Sequence, residues 1–244
     1  MTLPPASADL NASAAATNAP TNHRLLFLYA APYFGYVAMG SLDGLLSVSW
    51  IYMLRLLIVP GFMLWAWRWY KPLRGDKNPV VSVAAGILAG VAGTVLWIVL
   101  ITPFVKGDAV AWENPAFFFR LVASSLVVPV FEELLMRGYV FYFVLQWDQA
   151  RRKGTPSAFD VTLHEASIDD VRTVFWNVPA IIISTIIFAL GHQVVEWPAA
   201  VAYGLLMAFL LISRKDLLSA VVAHGITNFC LGLYVVYSGN WRYW

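Results

Sequence analysis

The feature that most constrains this chain is its succession of long apolar runs. Residues 25–42, 46–69, 80–105, 116–146, 176–193, 197–213 and 216–237 are each predominantly hydrophobic. A hydrocarbon core of about 30 Å takes roughly 20 helical residues to cross. Within it no water pairs with the backbone, so only helices and closed barrels survive. The runs are continuous rather than alternating, which selects helices. The expected fold is therefore all-α, a polytopic membrane bundle of seven or eight transmembrane helices. The count of eight arises if the run at 116–146 divides at Pro129, a residue that removes a helix hydrogen bond.

Charge supports the same class. The 244 residues hold 16 basic and 14 acidic side chains, 12% in all, against 60% hydrophobic. A soluble domain carries about twice that share of charge. The net charge of +2 gives no electrostatic footprint for nucleic acid. The single cysteine, Cys230, forms neither an internal disulfide nor a thiolate cluster.

Loop charges predict orientation. Arg68, Lys71, Arg74 and Lys77 follow the second run, Arg151, Arg152 and Lys153 the fourth, and Arg214 and Lys215 the sixth. The alternate loops are nearly free of Lys and Arg. With seven spans the positive-inside rule puts the N-terminus in the cytoplasm. Residues 1–23, rich in Ala, Ser, Asn, Thr and Pro, read as a disordered tail. Residues 24–244 read as one membrane-embedded domain with a polar insertion at 147–175, where Ser167 before Ile168-Asp169-Asp170 predicts a short capped helix. Trp241-Arg242-Tyr243-Trp244 reads as an interface anchor, and Arg55 and Arg120 as snorkelling or pairing residues.

Ionisable groups inside a span cost about 2.5–3.5 kcal/mol each, so those that occur need a reason. Glu132, Glu133 and Arg137 share one run. Glu133 and Arg137 are four apart and face the same way, so they pair. Glu132 points about 100° from Glu133 and is left as a carboxylate without a cation, which suits a general base. The alternative is a charge network that only ties helices together. His192 follows Phe188 by one turn at the end of the next run. Taken alone it reads as an interface histidine bonded to a backbone carbonyl. His224 and Asn228 share a face mid-way along the last run, and offer donors for an oxyanion or polar glue between helices. Glu, His and His are also competent zinc ligands, although the H-E-x-x-H pattern is absent. Gly191 and Gly225, beside the two histidines, allow close helix approach.

Three motifs thus occur in order: E-E-x-x-x-R at 132–137, F-x-x-x-H at 188–192 and H-x-x-x-N at 224–228. Each is short; the ordered set, at membrane depth, resembles the CPBP family of intramembrane proteases, which includes CAAX prenyl endopeptidases and bacteriocin-immunity homologues. The resemblance implies an intramembrane endopeptidase in which Glu132 and His192 activate water, His224 and Asn228 form an oxyanion hole, and Glu133 and Arg137 orient the site. A glutamic-type mechanism without cofactor is favoured, with zinc the requirement of a metal-dependent one. The implied substrate is a membrane protein or lipidated peptide, and the implied location a bacterial inner membrane. One branch of the family is associated with exosortase-type protein-sorting systems, a candidate partner here. The competing readings are a non-catalytic immunity or sorting accessory protein and a proton-coupled transporter. The sequence shows no inverted repeat to support a transporter.

Overall fold

The computed structural model of the chain describes residues 19–107, 109–171 and 175–244. The expected tail lies mostly outside them, and the first helix begins at Asn22. The helices are α1 (Asn22–Ala38), α2 (Val48–Ala66), α3 (Pro79–Ile101), α4 (114–152), α5 (Ala158–His164), α6 (Val178–Leu190), α7 (Trp197–Arg214) and α8 (Leu218–Ser238). No strand occurs among the described residues. The all-α bundle follows the seven apolar runs, with α5 added inside the polar insertion. Among the described residues five helices are long and apolar enough to cross a membrane: Asn22–Leu42, Val48–Trp69, Pro79–Ile101, Val194–Arg214 and Leu218–Ser238, each with its short 3-10 extension where one exists.

Two runs behave differently from their length. The run at 116–146 does not divide at Pro129. It forms one unbroken helix, α4, from 114 to 152, interrupted only by wide π turns at Ala123–Val127 and Leu134–Val140. A π turn directly before Pro129 takes up the hydrogen bond that proline cannot make. The eight-span alternative built on that split is thereby removed. The run at 176–193 forms a helix of only 13 residues, about 20 Å long. That is short of the roughly 20 residues a hydrocarbon core takes.

Asn177 caps α6 by accepting from the Ala180 N–H at 2.8 Å, and donates to Asp148 at the end of α4 at 2.9 Å. Asp148 also accepts from Arg151 at 2.9 Å and Arg152 at 2.7 Å. These hydrogen bonds, Arg151 first, hold its carboxyl below the usual carboxylate range. The end of α4 and the start of α6 are thus clamped together. Ser167 caps as expected, but only a single 3-10 turn, Ile168–Asp170. Asn22, fully buried, donates to Gln146 and to the Thr162 carbonyl and accepts from the Ile168 N–H. This ties the start of α1 to the insertion. The basic segments after α2 and α7 meet at the same end. Leu217 and Leu218 donate to the Leu73 carbonyl, and Lys77 reaches the Ser213 carbonyl.

Helices α3 and α8 approach each other closely. A Cβ on Gly86, Gly90 or Gly93 would lie 2.6–2.9 Å from atoms of α8 or Tyr203. In lipid, helices gain little from burying apolar surface against each other and associate by close backbone approach. Thr227 uses that approach to donate to the Gly90 carbonyl at 2.8 Å.

Gly90→Ala puts a methyl 2.6 Å from Ile226 and 2.7 Å from the Ala223 carbonyl. It should destabilise the folded protein by about 1–3 kcal/mol. Gly35→Ala, with nothing within 4 Å, should be neutral. Unfolding by heat or denaturant in detergent micelles checks the pair; equal stability of the two variants would contradict this packing.

Candidate active site

Glu132 stands on α4 just before its second π turn, His192 just past the end of α6, and His224 and Asn228 on α8. All four line one cavity of about 510 Å³. α6 ends at Leu190, and His192 just beyond it opens onto the same cavity as Glu132. The turn after α6 is held by the Trp197 indole N–H, which donates to the His192 carbonyl at 3.2 Å. Gly225 permits α8 to approach α4, since a Cβ there would lie 2.6 Å from the Ser125 carbonyl; one on Gly191 would lie 2.5 Å from the Tyr33 hydroxyl.

Behind the cavity lies a fully buried ion pair. Arg137 Nη1 donates to Glu133 Oε1 at 3.2 Å, and both side chains are inaccessible to solvent. Arg137 Nη2 donates to the Gly204 carbonyl of α7 at 3.0 Å. His224 Nδ1 donates to the same Glu133 oxygen at 3.1 Å. A carboxylate already held by arginine is acceptor-only, so the proton of this bond sits on His224. That orientation turns His224 Nε2 towards Glu132, whose Oε2 is 3.9 Å away. One imidazole therefore bridges two adjacent carboxylates. Glu133 is spent on Arg137 and His224, while Glu132 pairs with no arginine or lysine among the described residues.

Each remaining polar side chain is oriented by a single bond. His192 Nδ1 donates to the Phe188 carbonyl at 2.9 Å. That is the backbone bond expected of a merely structural histidine, yet it leaves the Nε2 lone pair free on the cavity side of the ring. Asn228 donates one amide hydrogen to the Ser124 carbonyl at 2.7 Å, which leaves the second hydrogen and the amide oxygen. Phe188 is the packing hub. Its ring centroid is 4.6 Å from that of His192 and 6.0 Å from that of His224, and the Arg137 guanidinium sits over it at 4.9 Å.

Several contributing residues stand outside the three motifs. Tyr203, fully buried, donates to Thr227 at 3.0 Å and packs edge-on against His224 at 5.7 Å. Trp97 packs against His192 at 5.4 Å. Nothing in an apolar span distinguishes a site-lining Tyr or Trp from core packing. Thr227 alone carries a signal that could have marked it, as a polar residue three positions after His224. The terminal aromatic segment packs on the bundle. Trp244 packs on Phe117 at 5.3 Å, and Tyr243 is hydrogen-bonded to Thr102 at 3.0 Å, so the segment folds back and walls the cavity.

Zinc needs donors about 2.0–2.2 Å from one centre. Among the described residues no three His, Cys, Asp or Glu side chains stand close enough to hold a metal ion together.

Residues 114–230 match the family model for type II CAAX prenyl endopeptidase Rce1-like proteins. The match contains all three motifs and bears out the resemblance drawn from them. Together with the apolar helices it marks an integral membrane protein similar to the CAAX-type proteases. None of the curated proteins and none of the solved structures matches the chain.

Removing the cation alone strands a buried carboxylate, at a cost of about 3–5 kcal/mol. Arg137→Met should therefore unfold at clearly lower denaturant. The double variant Glu133→Gln, Arg137→Met should regain most of the loss. Equilibrium unfolding in detergent reads both; a double variant no better than the single would contradict the pairing.

Proposed function

We propose that this chain is an intramembrane endopeptidase that hydrolyses a peptide bond of a membrane protein or lipidated peptide with water activated by Glu132 and His192. The observation that carries the reading is the division of labour between two adjacent glutamates. Glu133 is buried against Arg137 and His224, and Glu132 faces the cavity.

The charges favour it. Arg137 and Glu133 cancel one another behind the cavity, so charge that develops in the reaction is met by the groups that line it. Protonated at both nitrogens during the reaction, His224 offers an N–H at Nε2 as well as Nδ1. That N–H and the free Asn228 amide hydrogen are the donors for an oxyanion, each having spent its other donor on a fixed partner. His192 Nε2 accepts one hydrogen of the water and Glu132 takes the other as a proton. The oxygen attacks the scissile carbonyl carbon, and the carbonyl electron pair moves onto its oxygen, facing His224 and Asn228. On collapse the C–N bond breaks, and Glu132 returns its proton to the leaving nitrogen. No step passes through a metal. The substrate lies in the bilayer, the proposed membrane is a bacterial inner membrane, and the basic end, which also holds the start of α1, faces the cytoplasm. An exosortase-type system is a proposed partner.

The test is cleavage of a membrane-anchored peptide library in proteoliposomes, read by mass spectrometry. Glu132→Gln and His192→Ala should each slow cleavage at least about a hundredfold, and Asn228→Ala by about 10²–10³, with all three variants still folded in the membrane. Glu132→Gln cutting at the wild-type rate would sink the mechanism. Exhaustive chelation should leave the rate unchanged; a loss restored by added zinc would replace the glutamic reading with a metal-dependent one.

A further inference from the structure

The mouth of the cavity carries charge that the chemistry above does not use. Arg120, Lys106 and Arg242 line it, against Glu196 as the one acid beyond Glu132. Glu196 already accepts from the Gln193 N–H at 3.0 Å. Arg242 is exposed and lies over the Tyr243 ring. Arg120 is different. It is partly buried, and its guanidinium lies over the rings of both Trp112, at 4.6 Å, and Trp244, at 4.7 Å. Among the described residues it has no hydrogen-bond acceptor and no carboxylate partner. No ion pair holds it among the described residues; two indoles do. They fix the guanidinium in place while leaving its five N–H donors unclaimed. That is a preorganised fork, and a planar carboxylate is its geometric match.

Register favours the same conclusion. Arg120 and Glu132 are twelve residues apart on α4, which in an unbroken α-helix would set them about 120° apart around the axis. The π turn at Ala123–Val127 lies between them, and the extra residue it accommodates takes up about 100° of that difference. Both side chains consequently line the same cavity, separated along the helix by about 16–17 Å. An extended peptide covers that length in about five residues.

We propose that Arg120 is the carboxylate anchor of this cavity, holding an anionic group of the bound peptide roughly five residues from the bond presented to Glu132. The carboxylate belongs either to the peptide's C-terminus or to an acidic side chain. This inference rests on the peptidase reading for its meaning, but its test does not require turnover.

The experiment uses full-length Glu132→Gln protein in neutral detergent micelles. The probes are apolar octapeptides carrying an uncharged coumarin at the N-terminus, and binding is read by fluorescence anisotropy against empty micelles. One probe ends in a free carboxylate, one in an amide, and one in an amide preceded by Asp. The free acid or the Asp peptide should bind at least roughly tenfold tighter than the plain amide, and which of them does so identifies the source of the carboxylate. Adding Arg120→Gln should abolish the preference, and Arg120→Lys should keep part of it. Lys106→Gln and Arg242→Gln should change every probe by less than about threefold, as exposed charges do. Equal affinity for all probes, no binding of any, or a preference that survives Arg120→Gln would each overturn the anchor. A protein that discriminates the probes but cleaves nothing keeps the anchor and loses the peptidase reading; the reverse result does the opposite.

Discussion

The buried contact of Arg137 and His224 with a single oxygen of Glu133 is the interaction on which the rest of the site depends. It joins α4 to itself and to α8 by side chains, and to α7 through the Gly204 carbonyl. A buried ion pair is poor evidence for stability, because desolvation consumes most of its gain. Here Glu133 Oε2 and Arg137 Nε have no hydrogen-bond partner among the described residues, which raises that cost. An arrangement so expensive in the middle of a membrane protein is better understood by what it positions. It fixes the His224 ring, directs Nε2 towards Glu132, and neutralises the neighbouring carboxylate so that Glu132 alone is available.

Geometry at larger scale serves the same end. A helix of 13 residues and a 39-residue helix widened by two π turns are both irregular for a bundle. The first ends where His192 enters the cavity that Glu132 lines. The second turns Arg120 and Glu132 onto one cavity despite a spacing that an ideal helix would splay. The glycines of α3 and Gly225 of α8 let backbones close to within side-chain hydrogen-bonding distance, so Thr227 and Asn228 each reach a carbonyl on a neighbouring helix. Each departure from ideal helix geometry has a polar side chain at its focus.

Much of this was legible in the residues themselves. Apolar run length and the absence of alternation identify the helices, because the bilayer leaves the backbone few choices. The four-residue spacing of Glu133 and Arg137 announces their pair, and the polar residues stand out because charge is scarce. What hydropathy could not convey is lateral packing. The run at 176–193 has the composition of a full span, and only the helix end at Leu190 shows that it is short. Pro129 looked like a break because its relief, a π turn, leaves no composition signal. His192 read alone as structural because one nitrogen does make a backbone bond; the free nitrogen appears only once the ring is placed. The aromatic terminal segment has the composition of an interface anchor, and its return to Phe117 and Arg120 depends on contacts distant in sequence.

The central claim is that Glu132 works on water rather than on the peptide carbonyl directly. The most direct measurement is cleavage of a membrane-anchored peptide in heavy-oxygen water, with the label located by mass spectrometry. The account predicts one heavy oxygen in the new C-terminus of the product and none in the enzyme fragment that carries Glu132. Label in the Glu132 carboxyl, left by an acyl intermediate on that side chain, would contradict it.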